Sequence, residues 1–255
     1  MDPQPNPRSA AMRWARTYLV LLLGLGLILS AAFLQLQHHW NWSALWRYRA
    51  LFVKGWLTTV ALASAALVLS TGLGLGAALL ARRSHGLLRA GVRLYVELIR
   101  GTPFLVQILI LFYVVAQAAG VQSRVVVGTT ALALFAGAYI TEIIRSGIDS
   151  IAESQWETAR ALGLTTRQTY RWVVFPQAAR QVLPPLTGQW VSLIKDSSLL
   201  SVIGLGEFAL NAQQANAITY STLESYLVLA AGYLLLTLPL SLLARHLERR
   251  ARFAS

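Results

Sequence analysis

Few residues of this 255-residue chain are suited to chemistry, and most of them lie inside apolar stretches. The segment PLTGQWVSLIKDSSLLSVIG carries Gln189, Lys195, Asp196, Ser197 and Ser198. A charge at mid-membrane costs about 2.5 to 3.5 kcal/mol on insertion scales, so Lys195 and Asp196 are expected to face protein or a water-filled path. Adjacent residues do not face each other on a helix, which gives the two separate partners. They either hold helices together or line a solute pathway, and the residues alone leave both readings open. Gln107, Gln117, Tyr139 and Glu142 are weaker members of the same class. Glu142 precedes Arg145 by three residues, a spacing that permits an intrahelical ion pair. None of this resembles an enzyme's equipment. The chain has no cysteine, which excludes thiol catalysis, disulfides and Cys-ligated metal. Its four histidines, His38, His39, His85 and His246, lack metal-ligand spacing, and there is no H-E-x-x-H. There is no G-x-x-x-x-G-K-[ST] loop either, so the chain does not hydrolyse ATP by that motif and no cofactor is expected.

The elements that must position these residues follow from composition. The chain is 56% hydrophobic and 13% charged, with a mean hydropathy of +0.54, which predicts an all-α, polytopic membrane protein. Apolar runs at about 17–36, 57–81, 94–119, 125–144, 185–203 and 226–244 predict six spans. The first run follows a basic, proline-rich tail. It reads as an uncleaved span, because its length suits a bilayer and no small-residue cleavage pattern follows. Trp40, Trp42, Trp46 and Trp56 then fall where an interfacial aromatic belt is expected.

With a cytoplasmic N-terminus, one side of the membrane holds Arg8, Arg13 and Arg16, then Arg82, Arg83, Arg89 and Arg93. It also holds Arg145, Arg160, Arg167, Arg171 and Arg180, and finally Arg245, Arg249, Arg250 and Arg252, so that sixteen of the 22 basic residues share that side. This asymmetry predicts cytoplasmic N- and C-termini. Basic residues spread over four separate segments form no stripe for nucleic acid. Within the second run, Gly72, Gly74 and Gly76 include a G-x-x-x-G spacing suited to close helix packing. Gly101-Thr102-Pro103 predicts a kink or broken helix at the start of the third.

One polar island, ESQWETARALGLTTRQTYRWVVFP over 153–176, carries unusually complete punctuation for a loop between spans. Ser154 with Glu157 fits a capping box, Gly163 a C-terminal cap, and Thr165 with Gln168 a second box. Pro176 is expected to end the second helix. A stiff helix, a glycine corner and a second helix read as a docking element on the cytoplasmic side.

The island resembles the cytoplasmic signature of ABC importer permeases. The Glu-Ala-Ala triplet of that signature is matched by Glu157-Thr158-Ala159, its glycine by Gly163, and its Ile-x-Leu-Pro ending by Val173 to Pro176. Thr158, Val173 and Phe175 depart from it conservatively. Tyr95 to Pro103 (YVELIRGTP), Gly137-Ala138-Tyr139, Glu142-Ile143 and Lys195 to Leu199 (KDSSL) are similar to the polar amino acid branch of that family. The resemblance runs from about 52 to 250 and implies a type I importer fold of five spans, here with an additional N-terminal one. It places a cytoplasmic basic tail at 1–16, an extra span and outer loop at 17–50, the transport domain at 51–250 with its coupling loop at about 148–180, and a tail at 251–255. It further implies two cytoplasmic ATP-binding subunits, a second permease subunit, identical or related, and an external solute-binding protein that delivers an amino acid. Glu157, Thr158, Ala159, Gly163 and Pro176 then touch the ATPase, with Ala159 leaving room for its surface. Gln107, Tyr139, Glu142, Gln189, Lys195, Asp196, Ser197 and Ser198 are the candidate solute pathway. An ion-gradient-driven transporter would account for the intramembrane charges but not for the capped island.

Overall fold

The computed structural model describes residues 16–24, 26–28, 30–31, 39–83 and 86–252. Arg8, Arg13, His38 and His85 lie outside these residues, as does the end of the first apolar run. The chain divides into two compact units, residues 1–41 and 42–255. The first contains an apolar helix, α1, over Arg16–Ile28.

The second unit is entirely helical among the described residues. It contains α2 (Trp42–Arg47), α3 (Arg49–Arg83), α4 (Leu87–Gly101), α5 (Phe104–Ile110), α6 (Arg124–Asp149), α7 (Glu153–Ala161), α8 (Thr166–Thr169), α9 (Phe175–Asp196), α10 (Phe208–Thr219) and α11 (Thr222–Arg252). A π-turn extends α5 over Leu111–Ala116, another joins α8 to α9 over Tyr170–Val174, and a 3₁₀ turn extends α9 over Ser197–Ile203. Three helices, α3, α6 and α11, are individually long and apolar enough to cross a bilayer, and α4 with α5 makes a fourth, broken candidate. α3, α4–α5, α6 and α11 answer four of the five core spans expected from sequence; α9, at the place of the fifth, does not meet the same measure of apolarity and packs against α3, α6 and α11.

The third expected span differs in its course. It starts seven residues earlier, at Leu87, and turns by 110° between α4 and α5. The break falls at Thr102-Pro103, where an extended residue precedes proline (φ −122°, ψ 149°), as pre-proline sterics favour. Helix ends leave carbonyls without partners, and here side chains take them up. The Thr102 hydroxyl donates to the Leu98 carbonyl at 2.8 Å, and Gln107 Nε2 donates to the Ile99 carbonyl at 2.7 Å and to the Thr102 hydroxyl at 2.9 Å.

The fifth expected span begins ten residues earlier than its apolar run, because helical structure continues through Pro176 instead of ending there. A proline ring collides with the carbonyl four residues back in a regular α-helix. The π-turn over Tyr170–Val174 changes that register, with Phe175 N–H donating to Tyr170 O five residues earlier, and Pro176 occupies the first turn of α9, where no N–H is required.

Helix packing corrects the reading of the glycine-rich run. Gly72 and Gly76, which form the G-x-x-x-G pair, face open space within the chain, whereas Gly74 between them lies at the crossing of α3 and α6. A Cβ there would come 2.7 Å from Ile140 Cβ and 3.1 Å from the Gly137 carbonyl, so only glycine permits this approach. The aromatic belt is also partly displaced. Trp46 is exposed, but the Trp56 indole packs inside and donates to the Gly232 carbonyl at 3.2 Å.

Candidate functional site

The island folds as a helix, a corner and a second helix, with one of its two expected boxes. Thr165 caps α8: its hydroxyl accepts from Gln168 N–H, and the Thr165 N–H donates to Gln168 Oε1 at 2.8 Å. Gly163 has φ +72° and closes a Schellman motif, with Leu164 N–H donating to Ala159 O and Gly163 N–H to Arg160 O. The first box does not form. Ala152 is the N-cap of α7 and gives no side-chain cap, because the helix starts one residue before Ser154, whose carbonyl instead accepts from the Thr158 hydroxyl at 2.8 Å.

Burial sorts the five candidate coupling residues. Glu157, Thr158, Gly163 and Pro176 are exposed, while Ala159 is 1% exposed. The space a small residue leaves at 159 is thus occupied by this chain's own helices, contrary to the expected approach of a partner there. The outward face adds Leu162 and Trp172, 73% and 66% exposed, together with Phe175.

Arg82, at the end of α3, joins the island to the bundle. Its Nε donates to the Tyr170 hydroxyl at 2.8 Å, its Nη1 meets Asp149 Oδ1 of α6 at 2.6 Å, and its guanidinium lies 5.6 Å from the Trp156 ring centre. One side chain thereby ties α3, α6, α7 and the π-turn. Underneath, Ile148, Ile151, Val174 and Ala178 form an apolar cluster against which Trp156 and Tyr170 pack edge to face. Gln177 adds a bond from α9 to Gln155 of α7 at 3.2 Å. In sequence Arg82 is one of many positive-inside charges, and nothing local sets it apart.

The eight candidate pathway residues fall into three places. Gln107 is committed to the α4–α5 elbow. Glu142 pairs with Arg145 at 2.5 Å, as its spacing predicts, and lies 3.9 Å from Arg100, which also stacks 5.3 Å over the Tyr139 ring. On α9, Ser197 is fully buried and donates to the Ile194 carbonyl, and Ser198 donates to the Lys195 carbonyl, both at 2.7 Å. Lys195 is exposed, and Asp196 and Gln189 are half-buried. Among the described residues no hydrogen bond or ion pair joins the Glu142 set to the Lys195 set, and neither Lys195 nor Asp196 has an ion-pair partner within 4 Å.

Sequence reasoning passed over Glu207, which is fully buried. Its carboxylate caps α10 by accepting from Ala209 N–H and Leu210 N–H at 2.8 and 2.7 Å, and it accepts from the Tyr233 hydroxyl at 3.1 Å. The available signal was an acidic residue directly preceding an apolar helix, after the two glycines Gly204 and Gly206.

Helices long and apolar enough to cross a membrane, with an exposed, stiffened helical pair at one end, define a polytopic helical membrane protein. Residues 70–253 match the family described as "binding-protein-dependent transport system inner membrane component", and the chain belongs to that family. It is a multi-pass inner-membrane permease of the ABC importer type, a kind of system that depends on a binding protein and an ATPase. The chain is 36% identical to the glutamine transport system permease protein GlnP of Escherichia coli (strain K12) over 221 residues, which is 83% of this chain and 98% of that one. It is 34% identical to the arginine transport system permease protein ArtQ of Bacillus subtilis (strain 168), over 62% of this chain and 73% of ArtQ. Among solved structures, an amino acid ABC transporter crystallised with histidines superposes with a TM-score of 0.78 at 34% identity, covering 84% of this chain and all of that one. The MetNI methionine ABC transporter, at 20% identity and a TM-score of 0.68, shares the fold.

Proposed function

We propose that this permease imports a polar amino acid and that the α7–α8 pair receives the stroke of its ATPase. The observation that carries the coupling role is the exposed, doubly anchored island: Leu162, Trp172 and Phe175 face outward while Arg82 and the apolar cluster beneath fasten it to α3 and α6. A rigid element can pass displacement on, and the cap at Gly163 and the box at Thr165 supply rigidity at the corner. Glu157, Thr158, Gly163 and Pro176 form the surface toward the ATPase, and Ala159 keeps α7 close to the chain's own helices. Nucleotide and solute each favour one orientation of the spans, which is the condition for coupling. The substrate class rests on the relatives, whose names cite glutamine and arginine. The island lies on the cytoplasmic side, as the arginine distribution argues, and a second permease subunit, identical or related, completes the pathway past Tyr139, Glu142, Gln189, Lys195, Asp196 and Ser198.

The test is reconstitution of the permease with its ATPase and binding protein in proteoliposomes, measuring ATP-driven uptake of labelled glutamine, arginine, histidine and glutamate. Gly163→Asp has room for its side chain but must hold φ +72°, costing about 1 to 2 kcal/mol. It also sets a negative charge at the C-terminal end of α7, where the helix dipole disfavours it by about 0.3 to 1 kcal/mol. The variant is expected to insert normally and lose ATP-driven uptake. Normal uptake by Gly163→Asp, or wild-type uptake driven by an ion gradient without ATP, would overturn the reading.

A further inference from the structure

α4 and the ends of α3 and α6 line a cavity of about 360 Å³ that takes in Glu142 of the candidate pathway and the Arg82–Asp149 anchor of the island. Five arginines line it, Arg82, Arg89, Arg93, Arg100 and Arg145, against the three carboxylates Glu97, Glu142 and Asp149. Two of those carboxylates are already engaged: Asp149 by Arg82 and Arg145, Glu142 by Arg145 and Arg100. Arg89 and Arg93 have no acidic partner within 4 Å among the described residues, and Glu97 pairs with neither. The cavity therefore carries an uncompensated positive charge and two guanidinium groups free to grip an anion. Guanidinium forks match phosphate oxygens in geometry.

The shape of α4 indicates where that anion comes from. At about 100° per residue, Arg89, Arg93, Glu97 and Arg100 fall within roughly 80° of one another, while Leu87, Leu94 and Leu98 fall on the opposite side. That leucine face is uncovered, with Leu87 90% exposed and Leu94 and Leu98 more than half exposed. The 110° turn means that α4 does not continue the direction of α5, and with one arginine face and one leucine face α4 has the pattern of a helix lying in the bilayer surface. A helix so placed sinks its leucines toward acyl chains and holds its arginines at the depth of lipid phosphates.

We propose that this basic cavity, floored by the Arg82 and Asp149 ends of α3 and α6 and walled by the amphipathic α4, binds the phosphodiester headgroup of an anionic membrane lipid. Because Arg82 also holds Tyr170, the bound headgroup sits against the anchor of the island. The assignment needs only the membrane placement of the family, and its test does not read transport.

The full-length permease, purified in its complex with the ATPase in phosphatidylcholine mixed micelles, is titrated with phosphatidylglycerol, and bound lipid is counted by native mass spectrometry. Wild type is expected to retain phosphatidylglycerol in preference to phosphatidylcholine. Arg89→Gln and Arg93→Gln, which break no ion pair, are each expected to weaken retention about fivefold, and the double variant about 25-fold. Arg→Lys at both positions, which keeps the charge, is expected to retain most of the binding, and Arg49→Gln, near the other end of α3, to change nothing. Undiminished phosphatidylglycerol binding by the double Gln variant would overturn the proposal. Displacement by millimolar inorganic phosphate would overturn it in favour of a free-anion site. Loss of the ATPase from the double variant with lipid retention unchanged would overturn it in favour of a protein contact.

Discussion

Replacing Arg82 with methionine keeps the length and apolar stem of the side chain and removes its guanidinium. Three contacts are lost. The bond to the Tyr170 hydroxyl, with a charged donor, contributes about 1.5 to 3 kcal/mol in a well-ordered setting and less where water competes. The pair with Asp149 has side-chain exposures of 31% and 44%, which places it in the range of about 0 to 1 kcal/mol. Stacking over Trp156 contributes about 0.5 to 1 kcal/mol. These contacts share one group and do not add fully, so about 2 kcal/mol is the working figure for docking of the island against the bundle. That corresponds to roughly a 30-fold shift toward the undocked state. The apolar cluster of Ile148, Ile151, Val174 and Ala178 remains, so insertion and abundance should be unchanged. In proteoliposomes Arg82→Met is therefore expected to hydrolyse more ATP per solute imported and to take up solute at least fivefold more slowly. Arg82→Lys should fall between, because an ammonium cannot serve Tyr170 and Asp149 in one plane. Wild-type uptake with wild-type ATP stoichiometry in Arg82→Met would refute the anchoring role.

Two further outcomes are expected. Lys195→Ala and Asp196→Ala should each lower uptake or assembly, since neither group has an ion-pair partner among the described residues and each is expected to meet solute or a second subunit; a pair of variants that assembles and transports normally would remove both residues from the pathway. Gly74→Val should lower the thermal midpoint of the solubilised subunit by an overpacking cost of about 1 to 3 kcal/mol, whereas Gly72→Ala, with nothing within 4 Å, should be neutral or stabilising, and equal effects at the two positions would contradict the α3–α6 crossing.

What could be read from the sequence was local. The glycine corner at 163 and the Thr165–Gln168 box depend on four or five consecutive residues, and both formed as expected. So did the break at Thr102-Pro103 and the Glu142–Arg145 pair. The misreadings share a different cause. Ser154 lost its cap role because α7 starts two residues earlier than that role requires, with Ala152 at the N-cap. Pro176 failed to stop a helix because the preceding turn adopted a wider register, which no residue type announces. The glycine pair 72 and 76 had the right spacing on the wrong face, since spacing alone does not say which side of α3 meets α6. Arg82, Gln107 and Glu207 owe their roles to partners or neighbouring elements that a scan for polar intruders does not resolve. Gln107 is polar in an apolar run, yet what it bonds is the carbonyl of Ile99, eight residues back across a bend.

The π-turn ahead of Pro176 has a mechanical consequence. Because the chain does not break there, helical backbone is continuous from Thr166 of the island to Asp196, about 45 Å at 1.5 Å per residue. The island and the Lys195–Asp196 pair are thus the two ends of one shaft, and a twist or thrust applied at one end arrives at the other without crossing a loop. Pro184 and Pro185, each lacking a backbone N–H, are the places along that shaft where it can bend. If the island receives the ATPase and the Lys195–Asp196 end meets solute, such a rod would couple them by turning, and the stiffness of residues 166–196 would set how faithfully one end follows the other.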